Sequence, residues 1–423
     1  MKKTYFSSEM VSPGHPDKVM DSIAEAIVEA HLSHDNYARV AVDGVCKNNT
    51  VVLAGEISSR ALINPLAITK KVIADIGYTF VKSPDFNDQT VIINPLFTTQ
   101  SPDIAQGVNQ GDKIGEGAGD QGIVFGGAIR EAPDLTGHAH YLSRFISYEI
   151  YKKGFDWARP DQKTQVTIEY EDGKAVRVAD VVVAISHTDS KPLSEIRTEV
   201  KEVVDKVLSE YQKKTKLSFE NYNLHCNSTG KFAVYGPVAD AGEVGRKIVC
   251  DQYGGYFAVG GGNLNGKDPS KVDRSGVYMA RYVAKNLVAN GYADKVQIEV
   301  GYVIGEPEPV SVHVETFGTA HKSEEEIDNY VSQFSFAPTK ICEFLHLRDQ
   351  RRDFNYLNLG MYGHIGKSFV GDRLPWEVVT LEKKEDSKVE TPEKKEPETP
   401  EKKEPETPEK KEPEKKVSLK KQS

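Results

Sequence analysis

The chain of 423 residues has little cysteine: Cys46, Cys226, Cys250 and Cys342 are far apart and form no C-x-x-C pair. That spacing excludes a dense disulfide framework and the usual zinc patterns, and it points to buried free thiols. Long apolar runs are missing as well. No stretch of about 18 apolar residues occurs, and residues 1–10 are polar, without the basic-then-apolar build of a secretion signal. A cytoplasmic protein with no membrane segment is therefore expected. Positive charge is the third shortage: 54 Lys and Arg face 63 Asp and Glu, a net charge of −9. Residues 382–423 carry equal numbers of acids and bases, so the whole excess belongs to residues 1–381. An acidic body argues against a general nucleic-acid binder, which needs positive surface to release counterions from phosphates. Basic residues gathered in a few motifs must then serve a local anion.

What the chain does have is length and 38% hydrophobic content, enough for two or three cores. One repeat is plain: TPEKKEPE runs three times in register between residues 391 and 414. With almost nothing to bury, residues 383–423 read as a disordered, charge-balanced tail. Before it, alternation predicts strands with one buried face over residues 295–302 (Val296, Ile298, Val300) and 309–316 (Val310, Val312, Val314). Helical spacing is found over residues 19–30, 64–76, 190–211 and 275–288. Strand pairs followed by helices recur about three times, which predicts an α+β fold of three similar layered units. The aromatics between Tyr141 and Tyr151 have helical spacing and read as packing. His138 and His140 read as a pair on a helix surface, and His187, His225, His313, His346 and His364 as isolated structural or exposed residues.

Four stretches carry candidate chemistry. Ser12-Pro13-Gly14-His15-Pro16-Asp17-Lys18 stands ahead of the first helix; Pro16 suits a first helical position, so His15 and the free N–H groups would face an anion, with Asp17 as a Mg2+ ligand. The ordinary alternative is a capped helix with an incidental histidine. Residues 115–127 (GEGAGDQGIVFGG) let backbone approach a ligand, with Asp120 and Gln121 as polar contacts. Residues 261–267 have the G-x-x-x-x-G-K spacing, but Asp268 replaces the Ser or Thr that ligates Mg2+, which disfavours a P-loop. There Lys267, Lys271 and Arg274 are candidates for anions and Asp273 for a metal. Asp240, Arg246 and Lys247 add a carboxylate and two cations.

Taken together, GHPDK at 14–18, QSPDI at 100–104, GAGDQG at 117–122, RPDxKTQVT at 159–167, GRKI at 245–248 and GKDPSKVDRS at 266–275 resemble the S-adenosylmethionine synthetase (methionine adenosyltransferase) family. The likeness spans residues 1 to about 380. It implies three sheet-and-helix domains in a pseudo-threefold arrangement, at 1–110, 111–232 and 233–382, with a mobile loop near residues 100–111. It further implies ATP and L-methionine as substrates, two Mg2+ ions and K+ as cofactors, and a homodimer with shared active sites that pairs into a homotetramer. Carried over by position, His15, Lys163, Arg246, Lys247 and Lys267 would act on the triphosphate, and Asp17 and Asp273 would hold Mg2+. Asp161, Lys231, Phe232, Asp240 and Asn263 would contact the nucleotide, with Phe232 on adenine. Glu56, Gln100, Asp120, Asp240, Lys271 and Ile304 would surround methionine, and Asp43 would face K+.

The sequence also departs from the family pattern. Asp43 stands for the usual Glu, Lys231 for Arg, Ser228 for Pro and Val259 for His, while Asn263, Leu264 and Asn265 replace a small residue, Phe and Ser. No proposed phosphate or Mg2+ ligand is lost. Nor does a Ser-His-Asp or Cys-His constellation stand out, in keeping with a thioether nucleophile that needs no base. An ATP phosphotransferase would use similar loops but release ADP, and a scaffold that has lost activity is the non-enzymatic alternative.

Overall fold

Pro16 opens the first helix, α1 (Pro16–Leu32), where a missing N–H and a fixed φ are no handicap, and His15 caps it by accepting the Asp17 N–H at Nδ1, 3.2 Å away. In this computed structural model, which describes residues 2–99, 117–350, 352–368, 371 and 373–382, Met20, Ile23 and Ile27 of α1 are fully buried. Asn64 caps α2 (Pro65–Ile76), and Gly77 ends it at φ 107°. The other long helices are α3 (His138–Lys153), α4 (Leu193–Thr215), α5 (Val272–Ala289) and α6 (Glu324–Val331).

The described strands are β1 (Lys3–Val11), β2 (Arg39–Lys47), β3 (Thr50–Ser58), β4 (Ile92–Thr98), β5 (Gly122–Ile129), β6 (Ala158–Glu171), β7 (Lys174–His187), β8 (Asn223–Cys226), β9 (Gly242–Glu243), β10 (Lys295–Tyr302) and β11 (Ser311–Glu315). Their order along the chain repeats one plan. A strand, a helix, an antiparallel hairpin and a second helix occur as β1-α1-β2-β3-α2, as β5-α3-β6-β7-α4 and as β9-α5-β10-β11-α6. In the first two units a further strand, β4 or β8, returns parallel to the hairpin, as a helical crossover requires.

The leading strand of each unit joins another unit's sheet. β1 pairs antiparallel with β6, β5 with β10 and β9 with β2, so the three exchanges close a cycle. The sheets accordingly run β1-β6-β7-β8, β11-β10-β5 and β4-β3-β2-β9. Helices α1, α3 and α5 each cover one sheet, α1 on β2 and β9, α3 on β1 and β6, α5 on β5 and β10. This is the pseudo-threefold α+β architecture expected, with the apolar core between sheets and helices.

Two expectations are corrected. Over residues 309–316, which include β11, only Val314 of the three valines packs on the core, while Val310 and Val312 are 66% and 39% exposed; alternation reports which residues share a face, not whether anything covers it. His138 and His140 are buried, His138 Nδ1 meeting the Tyr211 hydroxyl at 2.6 Å and His140 Nε2 the Gln252 carbonyl at 3.1 Å. Helix α3 is wrapped by β1, β6 and α4, which leaves no free surface at its start. The loop near 100–111 and the tail at 383–423 lie outside the described residues. Among the described residues no helix is long and apolar enough to cross a membrane.

Candidate active site

The head of α1 is pinned before any ligand arrives. Ser12 Oγ donates to the Pro160 carbonyl at 2.6 Å and accepts from the Gln162 N–H at 2.9 Å, and the Tyr78 hydroxyl donates to the Gly14 carbonyl. This sets His15 beside β6, whose Asp161 and Lys163 belong to the same neighbourhood. Asp17 is buried, and its carboxylate accepts the Glu243 N–H at 2.9 Å and the Lys247 ammonium at 2.5 Å, with Arg246 3.8 Å away. Burial alone would raise its pKa, but Lys247 and the backbone donor win, and it is held below the usual carboxylate range. It is an anion at neutral pH.

His15 has the opposite fate. Burial, joined by Lys247 and Lys163, pulls its pKa down to about 3 against the opposing pull of Asp17 and Asp240. The ring is neutral, and because Nδ1 accepts the Asp17 N–H, its proton sits on Nε2, a donor. Asp161, buried under Tyr78, is raised to about 6 by desolvation while accepting the Gly236 N–H at 2.9 Å. Phe232 is half-buried four residues before that N–H, its backbone tied to His187, and Lys231 pairs with Asp189 at the surface. Asp240 is exposed nearby.

A second group forms around the start of α5. Lys267 Nζ donates to Asp273 Oδ2 at 2.8 Å. Gly262 runs against that carboxylate so closely that a Cβ there would stand 2.0 Å from Oδ1, which is the reason for a glycine. Residues 117–122 line the same region: Gly117 packs on the Gly305 backbone, next to the half-exposed Ile304, and Gly119 lies against Ser270 and Lys271. Asp120 is exposed there. Lys271 is held by Asp268 at 2.8 Å.

The two groups adjoin. Gly245, beside Arg246, packs on Asn263, and β2 touches Lys267 at Ala41 and Glu243 at Val45, four residues or about 13 Å along the strand. On that strand Asp43 is exposed, and Glu56 is exposed opposite Ala41 on β3. Gln100 lies outside the described residues. Asn263 turns inward, its side chain exchanging bonds of 2.8 and 2.9 Å with the Asn265 backbone.

Arg274 departs from its assignment to anions. It is fully buried and paired with Glu25. It closes a polar chain that sequence reasoning missed: Lys18 bridges Asp21 at 3.0 Å and Asp251 at 2.5 Å, Asn265 joins Asp251 at 2.8 Å to His364 at 2.9 Å, and Tyr278 joins His364 at 2.7 Å to Arg274 at 3.1 Å. The chain welds α1 to α5 beneath both groups. Its one advance signal was Lys18 inside the first motif.

Family models for the N-terminal, central and C-terminal domains of S-adenosylmethionine synthetase match residues 3–102, 115–232 and 234–378. The chain belongs to the S-adenosylmethionine synthetase family. It is 46% identical to the S-adenosylmethionine synthase of Fusobacterium nucleatum over 92% of this chain and 99% of the relative. The S-adenosylmethionine synthases of Akkermansia muciniphila and Treponema pallidum are each 42% identical, covering 88% and 89% of this chain and 94% of each relative.

For a member of this family the fit to metal is informative. Among the described residues no three His, Cys, Asp or Glu gather to hold an ion alone. Asp17 and Asp273 offer single carboxylates, each beside a lysine. That donor set suits Mg2+, which keeps waters and takes its remaining ligands from substrate phosphate. Asp43 is a single exposed carboxylate on β2.

Proposed function

We propose that this enzyme makes S-adenosylmethionine from ATP and L-methionine in the cytoplasm. The observation that carries the reading is the assembly at the head of α1, where a neutral His15, whose Nε2–H has no partner among the described residues, stands beside Asp17, Lys247 and Arg246. The methionine sulfur attacks C5′ in line, a C–S bond forms as the C5′–O bond breaks, and tripolyphosphate leaves. Sulfur is neutral and needs no base. What the site must supply is alignment and charge stabilisation. His15 donates from Nε2 to the departing oxygen, while Lys163, Arg246, Lys247 and Lys267 take the phosphates. Asp17 and Asp273 would hold Mg2+, which when bound would supply countercharge for the leaving group. The same cations then serve hydrolysis of tripolyphosphate to phosphate and pyrophosphate.

On the methionine side the reading uses Glu56, Gln100, Asp120, Asp240, Lys271 and Ile304, and Asp43 for K+. Phe232 faces adenine, with Asp161, Lys231 and Asn263 nearby. The exposed apolar residues Val45, Ile92 and Leu96 lie across the sheet that carries Asp43 and Glu56, which supports a homodimer whose copies complete each other's sites, and a tetramer of such dimers. Incubation with ATP, methionine, Mg2+ and K+ should yield S-adenosylmethionine, phosphate and pyrophosphate without ADP. ADP as the product would replace this reading with a phosphotransferase.

A further inference from the structure

Arg39, the first residue of β2, lines a cavity of about 240 Å³ together with Tyr37, Ser270, Thr339, Cys342 and Arg348. The buried carboxylate beside it is Asp268, the residue that spoils the P-loop motif. Its acceptor sites are filled. Oδ1 takes the Ser270 N–H at 3.0 Å and Arg348 at 2.5 Å, and Oδ2 takes the Val40 N–H at 2.9 Å and Lys271 at 2.8 Å. A carboxylate offers about four lone-pair sites. Arg39 is left over: its guanidinium stays 3.7 Å from Oδ1 and makes no side-chain hydrogen bond among the described residues.

Three cations, Arg39, Arg348 and Lys271, thus share one anion. The Arg39 side chain is only 15% exposed, so water does little to disperse the surplus. Burial and the nearness of Arg348 both press its pKa down, yet a guanidinium stays charged. Two carboxylates also stand on the cavity wall: Glu343 meets Lys340 at 2.9 Å, and Asp349 meets the His346 ring at 2.9 Å. The void is smaller than the roughly 300–1,000 Å³ that holds drug-sized ligands, so it suits an inorganic anion and not a nucleotide.

We propose that Arg39, with Arg348 beside it, forms an anion site that adjoins the second group through Ser270 and takes a phosphate-class oxyanion. The planar fork of Arg39 gives paired donors matched to such an ion. The site stands independently of the proposed reaction.

The test is equilibrium dialysis of the full-length protein against labelled inorganic phosphate, with wild type, Arg39→Gln and a His15→Ala, Lys247→Ala double variant. Arg39→Gln should bind about one phosphate fewer per chain, and the double variant should keep that phosphate. Sulfate should displace it at least tenfold better than acetate. Equal phosphate binding by wild type and a folded Arg39→Gln overturns the proposal, as does acetate matching sulfate. If circular dichroism shows that Arg39→Gln does not fold, Arg39→Lys decides: it keeps the charge without the fork, and should half-saturate at several-fold higher phosphate. An unchanged half-saturation overturns the site.

Discussion

Asp17 and Lys247 lie 230 residues apart in the chain and meet at 2.5 Å at the head of the first helix. The carboxylate is thereby kept ionised in a buried place, as the proposed role of Mg2+ ligand requires. Asp17→Asn removes that anion. Its rate should stay low at every Mg2+ concentration, and a Mg2+ titration superimposable on wild type would take Asp17 out of the metal site.

His15→Ala should retain the fold and nucleotide binding while S-adenosylmethionine formation drops by about 10²-fold or more, the usual loss for one preorganised donor. Lost capping adds about 0.5–2 kcal/mol of destabilisation. Steady-state kinetics beside a denaturant melt separate the two effects. Turnover close to wild type would reject His15 as a participant.

Gly262→Ala places a methyl group where the Asp273 carboxylate now lies. Asp273 must move, and with it the Lys267 contact. Activity should fall more than tenfold, in keeping with the cost of misplacing catalytic groups. Stability should change far less, as read by thermal unfolding.

Asn265→Ala strands Asp251 and His364, both buried, on either side of a gap. An unsatisfied buried group costs about 1–3 kcal/mol, so urea unfolding should shift by at least that lower figure. Lys18→Met should be worse, about 3–5 kcal/mol, since two buried carboxylates lose their cation.

His138 gives a pH test. Burial lowers its pKa to about 4, below the ordinary 6.5. Between those values the unfolded chain binds the extra proton, so this residue's contribution to stability is intact above pH 6.5 and is lost as pH falls toward 4. His138→Asn should show a shallower decline of thermal midpoint across that window than wild type. Parallel declines would contradict the assignment.

The helices were legible because their signals are local. Pro16 and Asn64 mark starts, and Met20, Ile23 and Ile27 mark a face. The motifs at 14–18 and 261–275 were legible because glycine, proline and charge at fixed offsets have few other uses. Pairing was not: nothing near Lys3 says that its strand neighbour is Glu171. Burial of charge was equally hidden. Lys18, Arg274 and Asp268 look like surface residues until segments distant in the chain deliver Asp251, Glu25 and Arg348. Misreading Arg274 as an anion ligand and His138 with His140 as a surface pair has this one source, because solvent exposure belongs to the folded whole and not to the neighbouring sequence.

The cyclic exchange of leading strands has a consequence for synthesis and handling. The sheet built on Arg39–Lys47 cannot be finished until Gly242–Glu243 has left the ribosome, and the strand that emerges first waits for a partner more than 150 residues behind it. Trimming the amino terminus into this strand would therefore disturb the middle of the molecule. Without Lys3–Val11, the long strand Ala158–Glu171 becomes a raw edge with its N–H and C=O groups open to another chain.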